Sequence, residues 1–101
     1  MKIKILIPIY NDWQSVDKLL DEINNLFQNS KPEISIIIVN DASNHDRGKE
    51  EKDFNNISSI KILNMKTNQG HARCIATGIK YIYEKEDFDY LIPMDGDGED
   101  R

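Results

Sequence analysis

Four carboxylates lie close together near the C-terminal end of the sequence. Asp95, Asp97, Glu99 and Asp100 follow an apolar run from Tyr90 to Met94 that is typical of a buried strand. Strand side chains alternate, so Asp95 and Asp97 point to the same side if the strand continues. Two hard oxygen donors on one side suit Mg²⁺ or Mn²⁺, which complete their shell with water and substrate phosphates. This spacing predicts a divalent metal site that binds a diphosphate.

Two other interpretations of this acidic segment are weaker. It is similar to the opening of a helix-loop-helix calcium loop, but Asp100 occupies the position that requires glycine, and a strand precedes it instead of a helix. It can also be a solvated acidic tail without a ligand. Gly96 and Gly98 favour the metal site, because glycine lets a ligand approach the backbone closely.

The charge distribution excludes several classes of function. The net charge is −5, and all of the negative excess lies in residues 84–101, which hold eight acidic and two basic residues. No basic face that would bind nucleic acid phosphates is evident.

No apolar run approaches the roughly 20 residues of a membrane helix, and no signal peptide precedes the first strand. We therefore expect a cytoplasmic protein, in which Cys74 is a small core residue.

The elements that must position these residues alternate between strands and helices. Four apolar runs predict strands: KIKILIPIY at the start, then Ile34–Asn40, Ile60–Met65 and DYLIPM. Apolar residues at helical spacing predict a helix from Trp13 to Phe27, with Asn11 or Asp12 as its N-cap. A second helix follows KTNQG, and the polar connection DASNHDRGKEEKDFNN can hold one more short helix.

The second helix has two notable features. One face carries the residues that we expect to contact the sheet: Ala72, Ile75, Ala76, Ile79, Ile82 and Tyr83. Gly78 costs about 1 kcal/mol relative to alanine inside a helix, which indicates close packing. The pattern as a whole predicts an α/β, Rossmann-like fold, with a mainly parallel four-stranded sheet and helices on both faces.

Polar segments follow each predicted strand. In parallel sheets, ligands bind beyond the carboxyl ends of the strands, near the switch in strand order. Three of these segments place an aspartate at or near that end: Asp12, Asp41 and Asp95. Three carboxylates on one sheet edge repel one another unless a cation or hydrogen-bond donors lie between them. This edge is therefore the predicted functional site.

Four motifs at these strand ends resemble those of family 2 glycosyltransferases with the GT-A fold. They are IPIYND, IIIVNDAS, NQGHARCIATGI and MDGDGEDR, in chain order and at four strand ends. The chain looks like the N-terminal, donor-binding half of such an enzyme, and most like the branch that includes dolichol-phosphate mannosyltransferase. The resemblance implies that residues 1–101 are the nucleotide-sugar-binding part of a GT-A domain whose acceptor-binding part lies beyond Arg101.

The resemblance also implies roles for individual residues. A nucleoside pocket would be formed by Pro8, Tyr10, Asp12, Val39 and Asp41. Asp95, Gly96 and Asp97 would face the diphosphate, and Asp95, Asp97 and Glu99 would hold Mg²⁺ or Mn²⁺. Arg73 either contacts phosphate near a helix N-terminus or makes a surface ion pair. His71 is expected to be structural.

The chain departs from the family pattern at three positions. Asp12 is shorter than the usual glutamate, Asn40 replaces the first aspartate of the second motif, and Ala42 replaces its glycine. These departures leave the base preference open between UDP- and GDP-sugars.

The resemblance implies glycosyl transfer to a lipid phosphate, such as a polyprenyl phosphate, or to a saccharide. In the full-length protein this reaction would take place in the cytoplasm or at the cytoplasmic face of the membrane, and an open edge at the fourth strand would favour self-association. A non-catalytic nucleotide-binding module of the same fold is the alternative. A receiver-like phosphoacceptor domain is disfavoured, because the third strand ends in NMKTNQG without a carboxylate.

Overall fold

The computed structural model of the chain describes residues 1–28, 32–43 and 54–94. Strands and helices alternate as the apolar pattern predicts. The elements are β1 (Lys2–Ile9), α1 (Trp13–Leu26), β2 (Glu33–Asn40), β3 (Ser59–Asn64), α2 (His71–Lys85) and β4 (Tyr90–Pro93). Most of the connection predicted to hold a short helix lies outside the described residues.

The four strands form one parallel sheet in the order β3-β2-β1-β4. The predicted α/β, Rossmann-like architecture is therefore confirmed. The chain builds outward from β1 through β2 to β3, and then crosses back through α2 to place β4 on the other side of β1. The switch in strand order thus falls at β1, and the cleft expected for a ligand should open beside its carboxyl end.

One face of the sheet packs against α1. Alternate residues of β1, from Ile3 to Ile9, and the even-numbered isoleucines of β2 form this core with Trp13, Val16 and Leu20 of the helix. Asp12 caps α1 as predicted, because its carboxylate accepts a hydrogen bond from the Ser15 N–H at 3.2 Å. The cap fixes the first turn of α1 directly after β1.

The opposite face of the sheet packs against α2, and here one detail of the prediction is wrong. The buried residues of α2 are Cys74, Gly78 and Ile82, whereas Ala72, Ala76 and Tyr83, assigned to the buried face, are exposed. The helix contacts the sheet along the stripe formed by these three buried residues. An ideal Cβ at Gly78 would lie 2.9 Å from Leu6 Cδ2 and 3.1 Å from Val39 Cγ2, so Gly78 lets α2 approach closely, as predicted.

Pro8 is unusual, because it lies in a strand that pairs on both sides. Backbone groups along a parallel strand face its two neighbours in turn. The Ile9 carbonyl accepts from Asp41 N on the β2 side, and the Leu6 carbonyl accepts from Met94 N on the β4 side. The nitrogen of Pro8 therefore faces the β4 side, where the described pairing ends at Pro93. Proline thus removes no hydrogen bond to β2.

An ion cluster fastens the C-terminal end of α2 to the sheet. Lys4, which is 7% exposed, lies 3.4 Å from Glu86, and Lys61 of β3 lies 3.1 Å from the same carboxylate. Burial opposes the ionisation of Glu86, but the hydrogen bond from Lys61 and the charges of both lysines outweigh it and lower its pKa. The hydrogen bond that Lys61 donates to Glu86 raises the pKa of Lys61, against a smaller opposing effect of burial.

Within residues 1–28, 32–43 and 54–94, no helix is long and apolar enough to cross a membrane. In the same ranges β4 pairs with β1 along one edge, and its second edge has no strand partner. Self-association through that edge stays a prediction.

We expect Gly78→Ala to lower the free energy of unfolding by about 1–2 kcal/mol. Overpacking costs about 1–3 kcal/mol, which outweighs the gain in helix propensity of about 1 kcal/mol. Urea denaturation measures the change. Thr77→Ala, on the exposed side of the same turn, is the control and should leave stability equal or slightly higher. Equal stability of the two variants would show that α2 does not approach β1 closely.

The Glu86 cluster should make stability depend on pH in acid. Because the folded pKa of Glu86 is below its ordinary value of 4.5, its contribution is complete above that pH and is lost as the pH falls through the folded pKa. We therefore expect Glu86→Gln to lower the melting temperature at pH 7 and to reduce the loss of stability between pH 5 and pH 3, as measured by thermal unfolding. Glu84→Gln, an exposed glutamate of α2, should leave the pH profile unchanged.

Candidate functional site

A cleft of about 340 Å³ opens at the carboxyl ends of β1 and β2, beside the start of α2. It lies at the switch in strand order, where a ligand is expected. The residues that line it are Pro8, Ile9, Tyr10, Asp12, Asp41, His71 and Cys74. The structure thus brings together four residues of the predicted nucleoside pocket, which are Pro8, Tyr10, Asp12 and Asp41.

The turn after β1 presents Tyr10 and Asp12 to the cleft. Asn11, between them, has a φ of 63°, a left-handed conformation that asparagine adopts more readily than most residues. The Asp12 N–H donates to the Tyr10 carbonyl at 2.8 Å, which closes the turn. Tyr10 is 46% exposed, so its ring is accessible to a planar ligand.

Asp41 lies at the base of the cleft, and its side chain is fully engaged with the segment before α2. One carboxylate oxygen accepts from the Gln69 N–H at 2.7 Å, and the other accepts from the Gly70 N–H at 2.9 Å. The Asn68 side chain donates to the Asp41 carbonyl at 3.3 Å. Asp41 is only 4% exposed, and these donors compensate its charge.

Cys74 also lines the cleft and lies close to the Asp41 carboxylate. Burial raises the pKa of its thiol to about 11, and its hydrogen bond and proximity to the Asp41 carboxylate act in the same direction. The side chain is therefore a neutral thiol at pH 7 and is unsuited to act as a nucleophile. The prediction that Cys74 is a core residue is confirmed by its complete burial.

Two of the predicted ligand contacts do not line the cleft. The Val39 side chain is completely buried and packs with Cys74 and Ile82 in the core under α2. Arg73 is exposed on a different face of α2, beside Ala72 and Thr77. Because the Asp41 carboxylate already binds the Gln69 and Gly70 N–H groups, the start of α2 presents fewer free donors to a phosphate than the sequence implies.

His71 and Cys74 are cleft residues that the sequence analysis assigned to structural roles. His71 is exposed and is the first residue of α2. The spacing from His71 through Cys74 to Gly78 places the three on one stripe of the helix. Gly78 marks this stripe as the side of α2 that lies closest to the sheet. The spacing therefore contained enough information to predict that His71 and Cys74 lie at the cleft.

The end of β2 and the turn that follows it contain two of the three positions that depart from the family pattern. Asn40 donates from its side-chain amide to Asn64 Oδ1 at 3.0 Å and accepts from the Ser43 N–H at 3.1 Å. Ala42 has a φ of 58°, the left-handed conformation in which glycine is least strained. The backbone at residue 42 therefore keeps the shape that the family's glycine would favour, and alanine adopts it at some cost.

The predicted metal and diphosphate residues Asp95, Gly96, Asp97 and Glu99 lie outside the described residues. The described chain reaches Met94, whose N–H donates to the Leu6 carbonyl of β1 at 2.8 Å. In the part of the chain that the structure describes, no group of three or more His, Cys, Asp or Glu side chains could hold a metal ion. The metal site therefore stays a prediction.

The sheet order and the cleft at its switch point define an α/β domain of the Rossmann-like, GT-A type. Comparison with known proteins then identifies the family. A family model described as glycosyl transferase family 2 matches residues 4–101. The chain belongs to glycosyl transferase family 2. The family and the transferase class predicted from the four motifs are thereby confirmed, whereas the branch within the family stays a prediction.

Three curated relatives show how much of a longer protein the chain matches. Poly-beta-1,6-N-acetyl-D-glucosamine synthase of Staphylococcus epidermidis is 28% identical over 95 residues, which are 94% of this chain and 21% of that protein. An uncharacterized glycosyltransferase of Synechocystis is 29% identical, over 99% of this chain and 30% of that protein. Undecaprenyl-phosphate 4-deoxy-4-formamido-L-arabinose transferase of Proteus mirabilis is 26% identical, over 95% of this chain and 29% of that protein. The chain spans less than a third of the length of each.

The hydrogen bonds that the Gln69 and Gly70 N–H groups donate to the Asp41 carboxylate should stabilise the fold. We expect Asp41→Asn to lower the free energy of unfolding by about 1–3 kcal/mol, because an amide has one acceptor oxygen and leaves the partly buried N–H of Gln69 or Gly70 without its acceptor. Asp12→Asn is a matched control, since asparagine and aspartate cap helices about equally well. Urea denaturation of both variants is the measurement. A loss of stability that is the same in both would contradict the special role of Asp41.

Proposed function

We propose that this chain is the nucleotide-sugar-binding part of a glycosyltransferase domain. The observation that carries the proposal is the cleft beside β1 and β2, which combines an exposed tyrosine, apolar walls and two carboxylates in about 340 Å³. Ligand sites of this size commonly pair an apolar lining with a few fixed polar groups. Family membership supports the same interpretation.

The nucleoside is proposed to bind between the two turns that follow β1 and β2. Tyr10 offers an aromatic face for the base, and Pro8 offers an apolar wall. The carboxylate of Asp12 accepts from Ser15 N–H through Oδ1, and its second oxygen is available to accept from a ribose hydroxyl or a base N–H. UDP- and GDP-sugars are both candidate donors.

Asp41 is proposed to make a weaker contact with the nucleotide than Asp12 does. Its two oxygens already accept from the Gln69 and Gly70 N–H groups, and a carboxylate has about four acceptor positions in all. A base or ribose donor would therefore share an oxygen that is already engaged. The contact from Asp41 is thus expected to contribute less binding energy than that from Asp12.

The donor set Asp95, Asp97 and Glu99 fits Mg²⁺ or Mn²⁺ by its chemistry, because it offers hard carboxylate oxygens and no thiolate or imidazole. A bound divalent ion neutralises charge on the diphosphate and makes the nucleoside diphosphate a better leaving group. The role of this chain's own residues is to bind the nucleoside, orient the diphosphate towards the acidic motif and exclude water from the base. Arg73, which is exposed on a different face of α2, does not line the cleft and is therefore left out of the proposed nucleotide contacts.

The acceptor is proposed to be a polyprenyl phosphate or a saccharide. Two of the relatives are named as a polyprenyl-phosphate transferase and a polysaccharide synthase. An anionic phosphate oxygen is already a nucleophile and needs no strong base, whereas a sugar hydroxyl needs one. A polyprenyl acceptor would place the reaction at the cytoplasmic face of a membrane.

We expect Mn²⁺ to strengthen the binding of UDP or GDP by about tenfold or more, roughly 1.4 kcal/mol, and Asp97→Ala to abolish this gain. Isothermal titration calorimetry in Mn²⁺ and in EDTA measures both effects. Asp87→Ala removes an exposed carboxylate between α2 and β4, and this control should keep the full gain. Equal affinity in Mn²⁺ and in EDTA would contradict the metal role, and the absence of nucleotide binding in either would contradict the proposed function.

A further inference from the structure

One side chain connects the turn after β1 to the turn after β2. The Ser43 hydroxyl oxygen accepts a hydrogen bond from the Asn11 N–H at 2.8 Å, and the same hydroxyl donates to Asn40 Oδ1 at 2.5 Å. A serine hydroxyl can donate one hydrogen bond and accept two. The single donor proton of Ser43 is therefore directed at Asn40, which leaves its oxygen oriented towards Asn11.

The partner of Ser43 is itself held in place. Asn40 Oδ1 also accepts from the Ser43 N–H at 3.1 Å, and Asn40 Nδ2 donates to Asn64 Oδ1 at 3.0 Å. These hydrogen bonds run from the end of β3, across the end of β2, to the turn after β1. The hydroxyl of Ser43 is thus fixed relative to three strands of the sheet.

Asn11, which donates to Ser43, and Ala42, which precedes Ser43, both have a left-handed backbone conformation that residues with a side chain rarely adopt. Asn11 has a φ of 63° and Ala42 has a φ of 58°, and non-glycine residues occupy this region uncommonly. A left-handed residue persists where surrounding interactions hold it in place. The hydrogen bond from Asn11 N–H to Ser43 is such an interaction, and it acts on the residue that separates Tyr10 from Asp12.

We propose that Ser43 is a positioning residue for the nucleotide, which acts through Asn11 to hold Tyr10 and Asp12 at the cleft. Ser43 is absent from the described lining of the cleft, so its effect is transmitted through the turn. The inference rests on the proposed function, because it assigns Ser43 a role in the binding of that nucleotide. It also explains why an asparagine suits position 40, since its amide both accepts from Ser43 and donates to Asn64.

The test compares three variants for UDP and GDP binding in Mn²⁺, at a temperature where circular dichroism shows each to be folded. We expect Ser43→Ala to weaken binding about five- to tenfold, because the Asn11 N–H loses its acceptor. Ser43→Thr keeps the hydroxyl and should bind within about twofold of the wild type. Ser59→Ala removes an exposed serine at the start of β3, and this control should leave affinity unchanged.

Amide hydrogen exchange of the wild-type chain provides a second measurement that does not depend on a folded variant. The Asn11 amide should exchange slowly, because it donates to Ser43. Fast exchange at Asn11 would overturn the proposal, as would equal affinity of Ser43→Ala and the wild type or failure of Ser43→Thr to restore binding. A wild-type chain that binds no nucleotide would overturn the proposed function and this role with it, whereas binding that is indifferent to Ser43 would overturn this role alone.

Discussion

The buried carboxylate of Asp41 constrains the arrangement of the whole site. An ionised group at 4% exposure is tolerated only where hydrogen bonds replace its hydration. Here the backbone N–H groups of Gln69 and Gly70 supply them, so the segment before α2 must lie against the end of β2. That contact determines where α2 begins, and therefore which of its residues meet the sheet and which of them line the cleft.

The close approach of α2 follows from the same constraint. With its start fixed at Asp41, the helix runs down the sheet along Cys74, Gly78 and Ile82. Only a side-chain-free position fits opposite Leu6 and Val39. At its far end Glu86 binds Lys4 and Lys61. The helix is thus held by a carboxylate at each end, one neutralised by backbone dipoles and the other by two ammonium groups, with a tightly packed apolar stretch between them.

The strand order relates this site to the acidic motif. β1 lies between β2 and β4 in the sheet. The turn that carries Tyr10 and Asp12 follows β1. The cleft lies on the β2 side of β1, and the described part of β4 ends at Pro93 on its other side. The strand that precedes the acidic motif therefore lies beside β1, on the side away from β2.

The sequence by itself determined the strands and helices of the described residues, and it predicted the edge of the sheet at which the site is proposed to lie. Apolar runs rich in β-branched residues, such as Ile34–Asn40, favour a strand buried on both faces, and the four motifs identified the family. Tertiary structure decided the exact centre of the buried side of α2. Ile75, Ile79 and Ile82 pack on the core as helical periodicity predicts, but the fit of Gly78 against Leu6 centres the contact on Cys74 and Gly78 and leaves Ala72, Ala76 and Tyr83 exposed. Tertiary structure also decided that Asp41 is engaged by backbone N–H groups and that Ser43 reaches Asn11. These contacts join residues 28 or 29 and 32 positions apart, a separation at which local sequence patterns carry no information about which atoms meet.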